Sequence, residues 1–136
     1  MAKRPNAKGR NNAPSGFAGI PRVVMDSTDY QSLSYKSKAL LMDLAYQYRG
    51  NNNGDLTAAF SIMKEKGWKR DPTVKAAVAE LLDANLILKT RDSRFSNPGS
   101  KCALFALTWQ PIDECPGKEL ERSPTRTPPR KFSIEG

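Results

Sequence analysis

The residues with the clearest chemistry lie in a short basic stretch near the middle of the chain. Lys69, Arg70 and Lys75 are cationic, and Thr73 places a hydroxyl group among them. Ammonium and guanidinium groups bind phosphate oxygens, while guanidinium and hydroxyl groups also reach the edges of bases. Ala76 is small, which lets a helix carrying these residues approach another surface closely. This stretch therefore favours contact with a phosphate-bearing polymer.

A second basic set follows between positions 89 and 101, where Asp92 is the only acid. Its members are Lys89, Arg91, Arg94 and Lys101. In DNA-binding proteins, basic side chains on such loops contact phosphates or enter the minor groove. The pattern predicts a second contact to the same kind of ligand.

A third basic set lies at the N-terminus. Residues 1–16 contain no acid, and they have too few apolar side chains to offset the entropy of ordering. The basic residues are Lys3, Arg4, Lys8 and Arg10. We expect residues 1–16 to form a disordered basic arm that contacts the minor groove. A solubilising tail is the alternative.

The residue types that enzymes use most often are absent or isolated. The chain has no histidine, the commonest general base near neutral pH and the commonest zinc ligand. Cys102 and Cys115 do not form a C-x-x-C pair, and Cys102 lies in an apolar strand pattern that favours core packing. We therefore expect a protein that is not an enzyme, with no cofactor and no metal site.

Composition narrows the class of partner. The chain has 136 residues, which is room for one domain. Its formal net charge is +8, which favours an anionic partner. Such a partner is most often nucleic acid and sometimes a membrane surface, although lysines also serve solubility alone. No apolar run follows the basic N-terminus, and no stretch is long enough to span a bilayer. We expect a cytoplasmic protein with no membrane partner.

Capping residues and hydrophobic spacing predict the helices that position these side chains. Ser34 caps a helix at 35–48. Thr57 caps a second helix at 58–66, and Gly67 ends it. The apolar face of the first helix carries Leu40, Leu41, Leu44, Ala45 and Tyr48.

A third helix at 72–84 carries the first basic set. Asp71 is a suitable cap, and Pro72 suits the first helical position because its missing N–H costs nothing there. Val78 and Leu81 are expected to be among the most buried residues. The inward stripe consists of Val74, Ala77, Val78, Leu81 and Leu82.

Strands replace helices after this point. Residues 86–91 and 102–108 predict an antiparallel hairpin, and Asn97, Pro98 and Gly99 suit the tip of its long loop. The domain is therefore expected at 17–109. Residues 110–136 are rich in proline and predict an extended tail.

Roughly residues 20–109 resemble a known fold family. The segment that carries the likeness is GDLTAAFSIMKEKGWKRDPTVKAAVAELLDANLILKTR. It is similar to the winged helix-turn-helix of bacterial, phage and plasmid regulators and replication initiators. The shared features are a polar turn, a short helix ending in glycine, a Thr-led second helix and a strand leading into the wing. The resemblance implies a mainly α fold with a small β-hairpin (α+β), a three-helix winged helix-turn-helix with flexible N- and C-terminal tails.

The resemblance implies a function as well. The helix at 72–84 would enter the major groove of double-stranded DNA, with the hairpin as wing and residues 1–16 as arm. We expect transcriptional regulation or replication initiation, in a mobile element. The alternative is a protein-interaction module, such as a phage-type inhibitor or adaptor docking on a host nucleoprotein complex through the Pro-rich tail. A homodimer is left open, and RNA binding has little support because its aromatic motifs are missing.

Overall fold

Helices form most of the first part of the described chain, and strands most of the second. The computed structural model describes residues 16–95 and 100–133. Its helices are α1 (Arg22–Met25), α2 (Thr28–Gln31), α3 (Tyr35–Gln47), α4 (Phe60–Met63), continued by a 3₁₀ turn at Lys64–Lys66, and α5 (Asp71–Asp83). Its strands are β1 (Leu56–Thr57), β2 (Ile87–Arg91), β3 (Arg94–Phe95), β4 (Ser100–Lys101) and β5 (Leu104–Leu107). The predicted contacts of Lys3, Arg4, Lys8 and Arg10, and of the Arg94 side chain, lie outside the described part.

The strands form a small antiparallel sheet in the order β1-β5-β2. Leu56 of β1 lies opposite Phe105 of β5, and Ile87 of β2 lies opposite Leu107. The β3–β4 pair continues the hairpin toward its loop. The predicted hairpin strands are thus confirmed as antiparallel partners, and the fold is mixed helix and sheet. Strand β1, which pairs with the central strand β5, was not predicted from the sequence.

The first predicted helix is confirmed within one residue at each end. Ser34 is its N-cap, and the side-chain oxygen of Ser34 accepts the N–H of Ser37 at 3.2 Å. That bond satisfies one of the N–H groups that have no partner within the helix. The helix ends at Gln47.

The second predicted helix is shorter than expected, and its predicted cap is wrong. Thr57 belongs to β1, where it pairs with Leu104, and its backbone is held at both ends by the side-chain amide of Gln47 at 2.8 Å. Because the backbone at Thr57 is extended, the helix begins later in the chain than predicted. α4 begins at Phe60 with Ala59 as N-cap. The hydroxyl of Thr57 still accepts the Ala59 N–H at 3.1 Å.

The third predicted helix is confirmed, but Asp71 does not cap it. Arg70 is the N-cap residue and makes no side-chain capping bond, while Asp71 lies in the first turn and pairs with Lys75 at 3.3 Å. Pro72 occupies that same turn, where no N–H partner is lost. The helix stops before Asn85, whose φ of 60° is the left-handed geometry predicted for a terminator.

The core lies between α3, α5 and the sheet. Leu81 is fully buried, as predicted, whereas the prediction for Val78 is wrong. Val78 is only half-buried because it lines an open cleft between α4, α5 and β5. The fully buried large side chains include Leu40, Leu41, Leu44, Leu56, Met63, Leu81, Leu86, Ile87 and Leu107.

A buried asparagine joins the loop after α3 to the end of β5. The Nδ2 of Asn53 donates to the carbonyls of Leu107, Gln110 and Pro111 at 3.0 to 3.1 Å, and its Oδ1 accepts the Leu107 N–H at 2.7 Å. Its backbone exchanges two further bonds with Asp113, both at 2.8 Å. Asn53 is 0% exposed, and its two side-chain bonds to Leu107 form away from water.

Residues 110–133, named here the C-terminal strap, contain no described helix or strand and lie against the domain. Ile112 is buried, and the Glu121 N–H donates to the Thr90 carbonyl at 2.6 Å. Arg130 donates to the carbonyl that follows α5 at 3.0 Å. The predicted flexible tail therefore does not extend over residues 110–133, because Asn53 and these contacts hold the chain. Proline content alone does not reveal such contacts.

We expect Asn53→Ala to lower the free energy of unfolding by about 3 kcal/mol or more. The change leaves several buried peptide groups without partners, and each such group costs about 1–3 kcal/mol. Urea denaturation monitored by circular dichroism measures the loss. Asn51 is exposed, so Asn51→Ala serves as the matched control and should change stability by less than about 0.5 kcal/mol. Equal stability of the two variants would contradict the role given to Asn53.

Candidate nucleic-acid interface

The turn between α4 and α5 brings the first basic set to the surface. Gly67 ends the 3₁₀ turn with a φ of 102°, a left-handed geometry that glycine adopts without strain. Lys69 and Arg70 follow it, and both are exposed. Thr73 is half-buried in the first turn of α5. The predicted side chains are therefore together at the start of α5, as the sequence analysis expected.

A cleft of about 490 Å³ lies between α3 and this turn, and we name it the basic cleft. It contains three predicted contact residues, together with cations and aromatic rings that the sequence analysis missed because they come from α3 and the 3₁₀ turn. Its lining is Tyr35, Lys36, Ala39, Asp43, Lys66, Gly67, Trp68, Lys69, Arg70 and Thr73. Helical spacing in α3 could have indicated Tyr35 and Ala39, which share its polar face.

The charge of the basic cleft is strongly positive. Four cations line it, against the single carboxylate of Asp43. That carboxylate accepts the indole N–H of Trp68 at 2.8 Å, so one of its oxygens has a structural partner. Field lines from like charges add within a concave surface, and they attract anions.

Two of the predicted residues lie outside the basic cleft. Lys75 and Ala76 are exposed on the next part of α5, and Lys75 forms an ion pair with Asp71. The pair is exposed on both sides and contributes little to stability. Lys75 is therefore available to exchange Asp71 for another anion.

Glu80, an acid in the second half of α5, has structural partners in α3 and its cap. Glu80 accepts hydrogen bonds from the Ser34 N–H at 3.0 Å, from the Ser34 hydroxyl at 2.8 Å and from the Ser37 hydroxyl. These bonds, the Ser37 bond first, hold the pKa of Glu80 below its ordinary value. Its charge faces the N-terminus of α3, where the helix dipole stabilises anions. Glu80 therefore joins α3 to α5 and does not lie free on the outer face.

The hairpin contributes two lysines to the outside of the domain. Lys89 pairs with Asp92 at 2.9 Å, and Lys101 pairs with Glu119 at 3.6 Å. Both lysines line the cleft that contains Val78, about 440 Å³ in volume and named here the hairpin cleft, and Lys75 of α5 lines it too. The hairpin and α5 therefore border one surface.

Arg91 is corrected from a ligand contact to a structural residue. It is 7% exposed, and its guanidinium donates to the Cys102 carbonyl at 3.1 and 2.6 Å and to the Lys118 carbonyl at 2.9 Å. These bonds join β2 to the chain before β5 and to the C-terminal strap. Alternation along a strand distinguishes faces, but it does not reveal that an arginine turns inward onto carbonyls.

The cysteines differ from each other in surroundings. Cys102 is exposed, which corrects the expected core packing, because β5 begins only at Leu104. Cys115 is half-buried, and burial first, then the carboxylates of Asp55 and Asp113, raise the pKa of its thiol. A raised pKa disfavours the nucleophilic thiolate.

The chain matches no protein-family model, no curated protein and no solved structure with which it was compared. Within residues 16–95 and 100–133, no three side chains of the histidine, cysteine, aspartate or glutamate type group as metal ligands do. No helix in those ranges has the length and apolar character of a membrane span.

We expect Arg91→Lys to destabilise the protein without weakening nucleic-acid binding. Lysine keeps the charge but lacks the planar fork that bonds two carbonyls, and hydrogen bonds to charged groups contribute about 1.5–3 kcal/mol each. Thermal unfolding measures the first effect, and fluorescence anisotropy with labelled DNA measures the second. Unchanged stability together with weaker binding would return Arg91 to the ligand-contacting set.

Proposed function

We propose that the domain is a winged helix-turn-helix that binds double-stranded DNA, with α5 as the recognition helix. The order of elements supports this proposal: α3, α4 and α5 precede the β2–β5 hairpin, as three helices precede the wing in that fold. The short α4, the turn at Gly67 and the start of α5 correspond to the helix-turn-helix itself. In such domains the N-terminal part of the second helix enters the major groove.

The observation that carries the proposal is the surface around the first turn of α5. Lys69 and Arg70 are exposed there and adjoin the basic cleft, while Ala76 leaves the next turn without bulk. Cations at this place bind phosphates on both sides of a groove, and an arginine reaches guanine edges with two bonds. The only carboxylate in the basic cleft is bonded to Trp68.

The hairpin supports the same mode of binding. Lys89 and Lys101 border the hairpin cleft together with Lys75 of α5, so a duplex lying on α5 meets cations from the hairpin as well. The acids that pair with Lys89 and Lys101 are on the surface, and phosphates replace them at little cost. Arg94, Lys3, Arg4, Lys8 and Arg10 remain proposed contacts from the sequence.

The proposed biological role is regulation of transcription or initiation of replication in a mobile element, without catalysis. The protein-interaction alternative used the Pro-rich segment as a docking peptide. Ile112, Arg130 and the bonds to Asn53 attach that segment to the domain, so it is not presented as a free peptide. The DNA-binding role is therefore the one we propose.

We expect Arg70→Ala and Thr73→Ala to relax discrimination between base pairs in a duplex selected from a random pool. Loss of a two-bond base contact removes about 1–3 kcal/mol of discrimination. Lys69→Ala should instead weaken all duplexes alike and lower the slope of log affinity against log salt by about 0.9. Fluorescence anisotropy over a salt series, with selected and scrambled duplexes, separates the two effects.

Arg126→Ala provides the matched control. Arg126 is exposed in the C-terminal strap and lines neither the basic cleft nor the hairpin cleft, so the variant loses the same charge as Arg70→Ala outside both clefts. The control should retain both affinity and discrimination. If Arg126→Ala weakens duplex binding as much as Arg70→Ala does, net charge rather than the surface of α5 accounts for binding, and the proposal fails.

A further inference from the structure

Four side chains form an exposed line along α3, named here the outer stripe. Tyr35, Ala39, Met42 and Tyr46 are three or four residues apart, so they share one face of the helix. Tyr35 is 86% exposed, Tyr46 48% and Met42 42%. Two large aromatic rings are thus presented to solvent on a single helix face.

Folding of the domain does not require the outer stripe. The opposite side of α3 supplies Leu40, Leu41 and Leu44, which are all fully buried. Large apolar side chains that line up on the surface mark interaction sites more often than singly scattered ones do. The outer stripe is therefore a candidate ligand-binding surface.

Each tyrosine ring of the outer stripe has at least one cation beside it. The Lys38 ammonium lies 5.6 Å from the centroid of the Tyr35 ring. The Lys66 ammonium lies 3.6 Å and the Arg49 guanidinium 5.7 Å from the centroid of the Tyr46 ring. Exposed cation–π contacts are weaker than the stacking of a nucleic-acid base on an aromatic ring. We therefore expect a base that reaches either ring to displace the cation. The displaced ammonium and guanidinium groups then face the phosphates.

The Tyr35 end of the outer stripe opens into the basic cleft. Tyr35 and Ala39 line that cleft beside Lys36, Lys69 and Arg70. Positive charge therefore continues from the first turn of α5 along α3. A ligand that follows this path must carry both negative charge and flat apolar rings.

We propose that the outer stripe binds single-stranded nucleic acid, with bases stacked on Tyr35 and Tyr46 and phosphates on the cations beside them. A second copy of the chain fits less well, because Lys36, Lys66 and Arg49 would then face their own counterparts. A duplex also fits less well, because its base faces are stacked on one another and cannot reach the tyrosines.

The dimensions of the outer stripe agree with a short strand. Tyr35 and Tyr46 are eleven positions apart, which is about 16 Å along a helix axis. Stacked nucleotides rise about 3.4 Å each, so about five nucleotides join the two rings. Single-strand sites of about 4–16 nucleotides combine aromatic platforms with a basic groove in the same way.

This inference rests on the proposed nucleic-acid function and adds a second class of ligand to it. The first turn of α5 would hold a duplex, and the outer stripe would hold an unpaired strand that leaves it. Together they describe a protein that binds where a duplex is opened.

The test compares two labelled probes by fluorescence anisotropy: an oligothymidylate of about ten nucleotides, within the usual range of site sizes, and a duplex selected from a random pool. We expect Tyr35→Ala and Tyr46→Ala each to weaken single-strand binding about 5- to 150-fold. Tyr46 does not line the basic cleft, so Tyr46→Ala should leave duplex affinity within about twofold, the scatter allowed for an exposed substitution. The salt slope for the single strand should stay unchanged, because neither variant removes a charge.

Matched variants separate stacking from folding and from general apolar contact. Tyr35→Phe and Tyr46→Phe keep the aromatic ring and should bind the single strand as the wild type does. Met42→Ala removes an exposed apolar group without an aromatic face and should have little effect. The three side chains tested, Tyr35, Met42 and Tyr46, are on the surface, so unchanged thermal unfolding confirms that each variant is folded.

The outcomes distinguish this inference from the proposed function. If the double variant Tyr35→Ala/Tyr46→Ala binds the oligothymidylate as tightly as the wild type, the inference is overturned while duplex binding stands. If Tyr-dependent single-strand binding occurs without duplex binding, the outer stripe is supported and the duplex function is contradicted. Binding of neither probe overturns both.

Discussion

The arrangement of the domain depends on the hydrogen bonds that the side-chain amide of Asn53 makes. This amide is buried, and it bonds the peptide groups at the end of β5 and the start of the C-terminal strap. Since β5 is the central strand, its position determines those of β1 on one side and β2 on the other. β1 leads into α4, and β2 follows α5. One polar side chain therefore holds the end of the central strand against the loop that precedes β1.

Charged side chains divide into two groups by what they bond. Arg91 and Arg130 turn toward backbone carbonyls, and Glu80 accepts bonds from the start of α3, so these charges stabilise the fold. Lys69 and Arg70 remain exposed beside the basic cleft. The inward charges have partners that no ligand replaces without loss of stability. The outward charges of Lys69 and Arg70 face solvent instead, and this difference supports their proposed role in binding.

Local signals in the sequence predicted the parts of the fold that local interactions determine. Helix α3, the left-handed Asn85 and the hairpin strands follow from capping, backbone preference and periodicity. Thr57 was misread as a cap because its pairing with β5 joins residues far apart in the chain. Arg91 and the C-terminal strap were misread for the same reason. In the candidate site, the residues around the start of α5 were predicted from one continuous segment, whereas Tyr35 and Lys36 require knowledge of how α3 packs beside it.

Amide chemical-shift mapping tests whether a duplex lies on the first turns of α5. Uniformly ¹⁵N-labelled protein is titrated with a duplex selected from a random pool, and shifts are followed in two-dimensional spectra. We expect the largest changes at residues 67–76, with smaller ones at Lys89 and Lys101. Changes confined to the C-terminal strap, with residues 67–76 unaffected at saturation, would contradict it.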